Sequence, residues 1–399
     1  KGSKVAFTKN VNIVCDDAID TYTRQRAQTI LAEHGFTATI STTESNTLSN
    51  IYLGVASGNG LTKAAATKLQ LNLSVLTKSG KFDRHVLSLT NAHDGVAQLI
   101  IIGENTDATF MGLASLEQML DAETNQMPTV TISDYADLKE RGIIEGFYGK
   151  PYSSEVRKDL LRFMMRNKMN CYVYGPKSDV YHSGKWTEAY PTELTEAQRK
   201  SGFVTQQDLR EFTDVAHQTK VSVVWAIHPG DDLLNDNGVV EKIMGKFAKM
   251  HTLGFRQFAV FADDVNRPEN QNDMNLTASR IADIQRSIES RWNTNSTSPT
   301  DIVKPLRFTP QIYCRNYAAS QWQFNQFFKA LSSIPKDVTI YYTGGGVWSV
   351  PNNYDLNTVQ YQFGRNVIWW WNYPCNDNGS GPSEIYPLDM RSNFFDMPN

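Results

Sequence analysis

From about residue 141 onward, short apolar runs of strand length alternate with longer amphipathic stretches, which restricts the chain to folds built from repeated strand–helix units. Candidate strands fall at Ile143–Phe147, Asn170–Tyr174, Val221–Ile227, Gln257–Phe261, Leu306–Thr309, Val338–Tyr342 and Val367–Trp371. Between them lie helical patterns such as Ser154 to Asn167, where Val156, Leu160 and Phe163 recur at core spacing and the Met164-Met165 pair reads as packing. Repetition of this kind is how a parallel α/β barrel looks in sequence, and a TIM-type barrel wants eight strands in roughly 250 residues. The segment has that length but offers seven clear runs, so the expectation is a TIM-type (β/α)8 barrel, truncated or irregular at its C-terminal end.

The first third reads as a small α/β accessory domain over residues 1–138, ahead of a barrel domain over 139–399. Val11 to Cys15 is a strand-sized run, and Asp17 to His34 follows with helical spacing before Gly35 supplies a stop. Phe36–Ile40, Ile51–Val55 and Leu99–Ile102 are further strand candidates. After the last of these, Thr106 or Asp107 is placed to cap a helix carrying Phe110, Leu113, Leu116 and Leu120. Asp16-Asp17 reads as the cap of the helix that starts there. Gly58-Asn59-Gly60 lacks the spacing of a dinucleotide loop and reads as a turn.

Composition excludes several functions. Lys+Arg at 39 against Asp+Glu at 42 gives a net charge of −3, so no basic excess exists to neutralise nucleic-acid phosphates or an anionic membrane surface. No apolar run approaches the roughly 18 residues of a membrane span. Lys1-Gly2-Ser3 has no initiator Met and no signal-peptide core, so a processing boundary is expected there and the compartment is not read from it. Cys15, Cys171, Cys314 and Cys375 are far apart, with no paired spacing and no nearby His, and are expected as buried free thiols.

In a barrel the active site forms where strands end and βα loops begin. The residues there are Glu145-Gly146-Phe147-Tyr148, Lys177-Ser178-Asp179, His228-Pro229-Gly230-Asp231-Asp232, Asp263-Asp264, Tyr313, Thr343 before three glycines, and Trp370, Asn372 and Asp377. Carboxylates, a lysine and aromatics on one rim suit a sugar, whose hydroxyls need polar partners and whose ring face needs an aromatic wall. Of the two adjacent acid pairs, Asp263-Asp264 directly follows a buried strand, whereas Asp231-Asp232 lies beyond a Pro-Gly turn, so the former is the better catalytic candidate. Neighbours cannot easily flank a glycosidic bond as a nucleophile–acid pair must. They can serve a substrate-assisted route in which one protonates the leaving oxygen and the other holds the N–H of a 2-acetamido group whose carbonyl attacks. Close carboxylates also resist double ionisation, which favours one keeping a proton.

The ordered motifs Gly142-Ile-Ile-Glu-Gly-Phe-Tyr-Gly149, Asn170-Cys-Tyr-Val-Tyr-Gly-Pro-Lys177 with Tyr181-His182, Phe258-Ala-Val-Phe-Ala-Asp-Asp264, Tyr342-Thr-Gly-Gly-Gly-Val347 and Trp370-Trp-Asn-Tyr-Pro374 resemble glycoside hydrolase family 84. That family comprises β-N-acetylglucosaminidases, including O-GlcNAcases and bacterial enzymes once called hyaluronidases. The resemblance implies that Asp264 is the general acid/base and that Asp263 orients and polarises the acetamido group. It implies that Tyr313 bonds the derived oxazoline, that Thr343 and Val347 line the acetamido pocket, and that Trp370 forms its wall. Gly146 through its carbonyl, Lys177, Asn372 and Asp377 would bind sugar hydroxyls. Trp370 and Asn372, two apart on a strand, face one way and leave Trp369 and Trp371 for the helix layer. Tyr148 and Asp179 read as packing or rim positions.

The chain departs from the family at His228-Pro229-Gly230, where members commonly show Ser-Pro-Gly, and around Tyr313, which Arg315 and Asn316 follow. His228 reads as a structural histidine. The Asn that the family places after the eighth strand is not aligned before the sequence reaches Asn399, which lacks the strand context and is not assigned. The resulting expectation is a retaining exo-β-N-acetylglucosaminidase needing no cofactor or metal, acting on β-GlcNAc-terminated glycans or glycoproteins, with secretion or a cell-envelope place implied by bacterial members. The alternative is a catalytically impaired GlcNAc-binding protein with an incomplete barrel. A hyaluronan-degrading enzyme would want a basic rim, and a metal-dependent hydrolase would want a His pair at ligand spacing.

Overall fold

The computed structural model describes residues 3–91, 96–120 and 124–372. The chain divides into two compact units, one formed by residues 1–141, 159–170 and 216–221, the other by 142–158, 171–215 and the residues from 222 on.

The first unit contains β1 (Lys4–Ala6), β2 (Asn10–Cys15), β3 (Thr37–Ser41), β4 (Ser49–Val55), β5 (Phe82–Asn91), β6 (Ala97–Gly103), β7 (Gln126–Pro128) and β8 (Val130–Ala136). Six of them form a sheet in the order β3-β2-β4-β6-β5-β8, parallel except that β5 runs antiparallel to both its neighbours. Side chains alternate across a strand, so β2 sends Val11, Ile13 and Cys15 to one face and Val14 to the other. The first face is covered by Ile30 and Leu31 of the helix Thr21–Glu33 and by Leu113 and Leu116 of Thr106–Met119; the second by Ala65 and Ala66 of Leu61–Lys68. Gly35, at φ +79°, follows the first helix as the sequence suggests. The caps differ from expectation. Asp20 caps the first helix, because its carboxylate accepts from Thr23 N, whereas Asp16 instead accepts from Thr62 N at the start of Leu61–Lys68. Asn105, one residue before Thr106, caps the third.

The second unit contains β9 (Gly142–Glu145), β10 (Cys171–Tyr174), β11 (Ser222–Ile227), β12 (Phe258–Phe261), β13 (Arg307–Thr309), β14 (Thr339–Tyr342) and β15 (Ile368–Trp369), all parallel and each paired with the next in sequence order. These are the seven runs expected from sequence, in the strand order of a TIM-type α/β fold. One face gathers Ile144, Val173, Val224, Ala226, Ala259, Phe261, Tyr341, Ile368 and Trp370 into a single apolar cluster, the inward face of a curled sheet. Cys15 and Cys314 are buried free thiols and Cys171 is buried; Cys375, Asp377 and the question of an eighth strand lie outside the described residues. No described helix is long and apolar enough to cross a membrane.

The face of the helix Ser154–Arg166 is out of phase with the sequence reading. Val156 and Phe163 are exposed, while Arg157, Leu161 and Met164 are buried. The reason is Glu145, fully buried at the end of β9, whose Oε2 and Oε1 accept from Arg157 Nε and Nη2, each at 2.8 Å. Tyr172 Oη adds a bond at 2.7 Å and Tyr152 N one at 3.0 Å, so the carboxylate is fully satisfied. An inward Arg looks polar in a periodicity count, which shifted the apparent stripe. We predict that Glu145→Ala, leaving a buried guanidinium unpaired, costs about 3–5 kcal/mol in chemical denaturation, whereas Val156→Thr stays within about 0.5 kcal/mol.

Candidate active site

Consecutive strand residues point to opposite faces. Phe261 of β12 belongs to the inward cluster, and Asp263 keeps its parity, so a continued strand would send Asp264 away from it. The backbone instead turns left-handed at Asp264, with φ +58°, a conformation that costs a non-glycine residue roughly 1 kcal/mol. The turn gives two neighbouring carboxylates different surroundings.

Asp263 is buried and paired through Oδ2 with the ammonium of Lys177, which follows β10; its Oδ1 has no hydrogen-bond partner among the described residues. Burial alone would raise this carboxyl, but the Lys177 charge, then His228 and His182, hold it below the usual carboxylate value. Asp263 is therefore an anion and a hydrogen-bond acceptor at neutral pH. Asp264 is exposed, and its Oδ2 and Oδ1 accept from Tyr148 Oη at 3.1 Å and Tyr313 Oη at 3.0 Å. Burial, then Tyr317 and the Asp264 carboxylate, push the Tyr313 phenol well up, so it is a proton donor throughout the physiological range. Tyr317 meets the Tyr313 ring edge-on at 4.8 Å.

The remaining candidates make contacts with one another and with Tyr313 and Phe261. Thr343 is buried, donates its backbone N–H to the Tyr313 carbonyl at 2.9 Å and donates its hydroxyl to Gly346 O at 2.9 Å. Asn372 Nδ2 donates to Val347 O at 2.9 Å. The Trp370 ring lies 5.2 Å from Phe261 and so close to Gly146 that a Cβ there would sit 2.8 Å from it, which accounts for the glycine. Trp369 faces the other way and packs edge-on against Tyr342, in keeping with the parity argument. Asp377 lies outside the described residues.

The competing pair does structural work: Asp231 accepts from Asn266 N and Nδ2 at 2.9 and 2.7 Å, tying down the loop after Asp264, and Asp232 accepts from Trp186 Nε1. Asp179 is buried and accepts from the hydroxyls of Tyr174 and Tyr190, each at 2.6 Å. Sequence reasoning missed the contact of Tyr148 with Asp264, although an aromatic hydroxyl three residues past β9 was a usable signal. It also missed Lys246, a buried ammonium that donates to Glu188 O beneath the Tyr190 and Trp225 rings and is pulled down to about 8 by burial; nothing in its helical context marks it. Among the described residues no three His, Cys, Asp or Glu side chains converge to hold a metal.

Paired carboxylates with tyrosine hydroxyls at the C-terminal ends of parallel strands suit a glycoside hydrolase. Residues 141–393 match the sequence pattern of the beta-N-acetylglucosaminidase family, and residues 1–135 that of domain 2 of glycosyl hydrolase family 20. The chain belongs to the first of these, glycoside hydrolase family 84. It is 26% identical to "Protein O-GlcNAcase" of Rattus norvegicus over 255 residues, 63% of this chain and 26% of that protein. The solved "Structure of CpGH84D" aligns with a TM-score of 0.78 at 29% identity, over 94% of this chain and 59% of that one; "Structure of CpGH84B" gives 0.72 at 26%, over 94% and 60%. The chain thus spans about a quarter of the length of the curated relative and under two thirds of each solved one.

Because the Asp263 carboxyl titrates lower in the folded chain than in the unfolded one, its pairing contributes stability at neutral pH that is lost as pH falls through the folded-state value. In Lys177→Met the burial cost is left less opposed, so the Asp263 midpoint, followed by carboxyl 13C NMR, should rise toward or above the ordinary value of about 3.9. An unchanged midpoint would mean that Lys177 is not what holds the charge.

Proposed function

We propose that the chain is a retaining exo-β-N-acetylglucosaminidase that removes terminal β-linked GlcNAc from glycans or glycoproteins by substrate-assisted catalysis. Asp264, as the acid, gives its proton to the glycosidic oxygen while the carbonyl oxygen of the substrate's own 2-acetamido group bonds to C1 and expels the aglycone. Asp263 accepts the acetamido N–H, orienting the carbonyl and stabilising the positive charge of the forming oxazoline. Asp264, now a carboxylate, takes a proton from the water that attacks C1, the ring opens, and the anomeric configuration is retained.

The observation that carries this reading is the unequal environment of the two neighbours: Asp263 buried and held ionised, Asp264 exposed between two tyrosine hydroxyls. An anion is what an amide N–H needs, and an accessible carboxyl is what a leaving oxygen and a water need. Trp370 supplies the wall of the acetamido pocket, with Thr343 and Val347 lining it, and the Gly146 carbonyl, Lys177, Asn372 and Asp377 serve the sugar hydroxyls. Tyr313 passes its hydroxyl from Asp264 to the oxazoline as that forms. Since the Lys177 ammonium already pairs with Asp263, it links sugar recognition to the charge of the polarising residue.

Hydrolysis of the 4-methylumbelliferyl β-N-acetylglucosaminide, beside that of an alkyl β-N-acetylglucosaminide with a poor leaving group, tests the reading. Asp264→Asn should lower kcat/KM for substrates with poor leaving groups by about 10²–10⁴-fold while affinity for an oxazoline mimic stays within a few fold; Asp263→Asn should lower both. Binding of the mimic without turnover by the parent chain would replace the enzyme with a GlcNAc-binding protein.

A further inference from the structure

Beside the acid pair, one side chain bonds to the peptide that joins its members. His228 Nε2 lies 2.9 Å from the carbonyl oxygen of Asp263, and because a carbonyl only accepts, Nε2 carries the proton. That carbonyl belongs to the peptide plane between Asp263 and Asp264. Anchoring it prevents the plane from swinging, and a swing of that plane is what would release the left-handed φ of +58° at Asp264.

His228 is itself held. It follows β11 directly, its backbone N–H donates to His182 O at 2.8 Å, and its ring lies 6.0 Å from that of His182, which it meets edge-on. His182 is fully buried and its Nδ1 is 2.7 Å from Ala226 O, within β11. The anchor on Asp263 is thus tied to the neighbouring strand at two points.

We infer that His228 is a positioning residue: its N–H on the Asp263 carbonyl fixes the 263–264 peptide and so aims the Asp264 carboxylate between Tyr148 and Tyr313. The inference rests on the glycosidase reading for its kinetic consequence, but not for its structural one. Tyr148 and Tyr313 hold the Asp264 oxygens, whereas His228 bonds to the peptide plane itself.

Two variants test it. His228→Phe keeps a ring in place without a donor, and His228→Gln returns an N–H at similar reach; His228→Ala stands in should the phenylalanine variant not fold. In crystal structures, the donor-free variant should show the 263–264 peptide turned and Asp264 out of the left-handed region, with the glutamine variant as in the parent. In kinetics with 4-methylumbelliferyl β-N-acetylglucosaminide, kcat should fall at least tenfold with KM within threefold, and the glutamine variant should recover most of it. A donor-free variant that keeps φ near +58° and both tyrosine bonds overturns the inference, as does an unchanged kcat. A parent chain without turnover would sink the glycosidase reading instead, and the crystal structures would still decide the role of His228.

Discussion

Two adjacent residues of a β-strand cannot both face the same side, and the site is organised around the way this chain escapes that rule. Asp263 stays in register with the inward face of β12, whereas Asp264 leaves it through a left-handed turn that costs roughly 1 kcal/mol. The turn is stabilised from several directions at once: Tyr148 after β9, Lys177 after β10, His228 after β11 and Tyr313 after β13 each bond to one member of the pair. A parallel fold with its strands in sequence order is suited to this, because every strand delivers its following loop to the same end.

Charge deep in the unit is tolerated because each buried ion has a dedicated partner. Glu145 is answered by Arg157 and two further donors, Asp179 by two tyrosine hydroxyls, Asp263 by Lys177, and Lys246 by a carbonyl and aromatic faces. Removing one partner from such a pair strands the other in a low dielectric, so these contacts resist rearrangement more than their net energies suggest. They also sit at the roots of the loops that carry the site: Glu145 just before Gly146, and Asp179 two residues after Lys177. Polar burial here fixes geometry, and the apolar cluster of the curled sheet supplies the burial energy.

The strands were legible because buried parallel strands are continuous apolar runs bounded by polar loops, and all seven in the second unit lie where those runs predict. The placement of Asp263-Asp264 at the end of β12 was legible for the same reason. What failed was anything set by a single side chain turning against its type. Arg157 faces inward and shifts the buried stripe of its helix, and Asn105 rather than Thr106 takes the cap. The tyrosine bonds to Asp264 and the grip of His228 on Asp263 join residues 35 to 116 positions apart, beyond the reach of local pattern.

The central claim is that the substrate's acetamido group, held by an ionised Asp263, is the nucleophile. The most direct test is kcat for 4-methylumbelliferyl glucosaminides whose N-acetyl group carries zero, one, two or three fluorines. Each fluorine weakens the carbonyl oxygen as a nucleophile while leaving the leaving group unchanged. The account predicts a steep, progressive fall in kcat along the series. A flat series would contradict it and would require an enzymic nucleophile or a directly attacking water in place of the acetamido group.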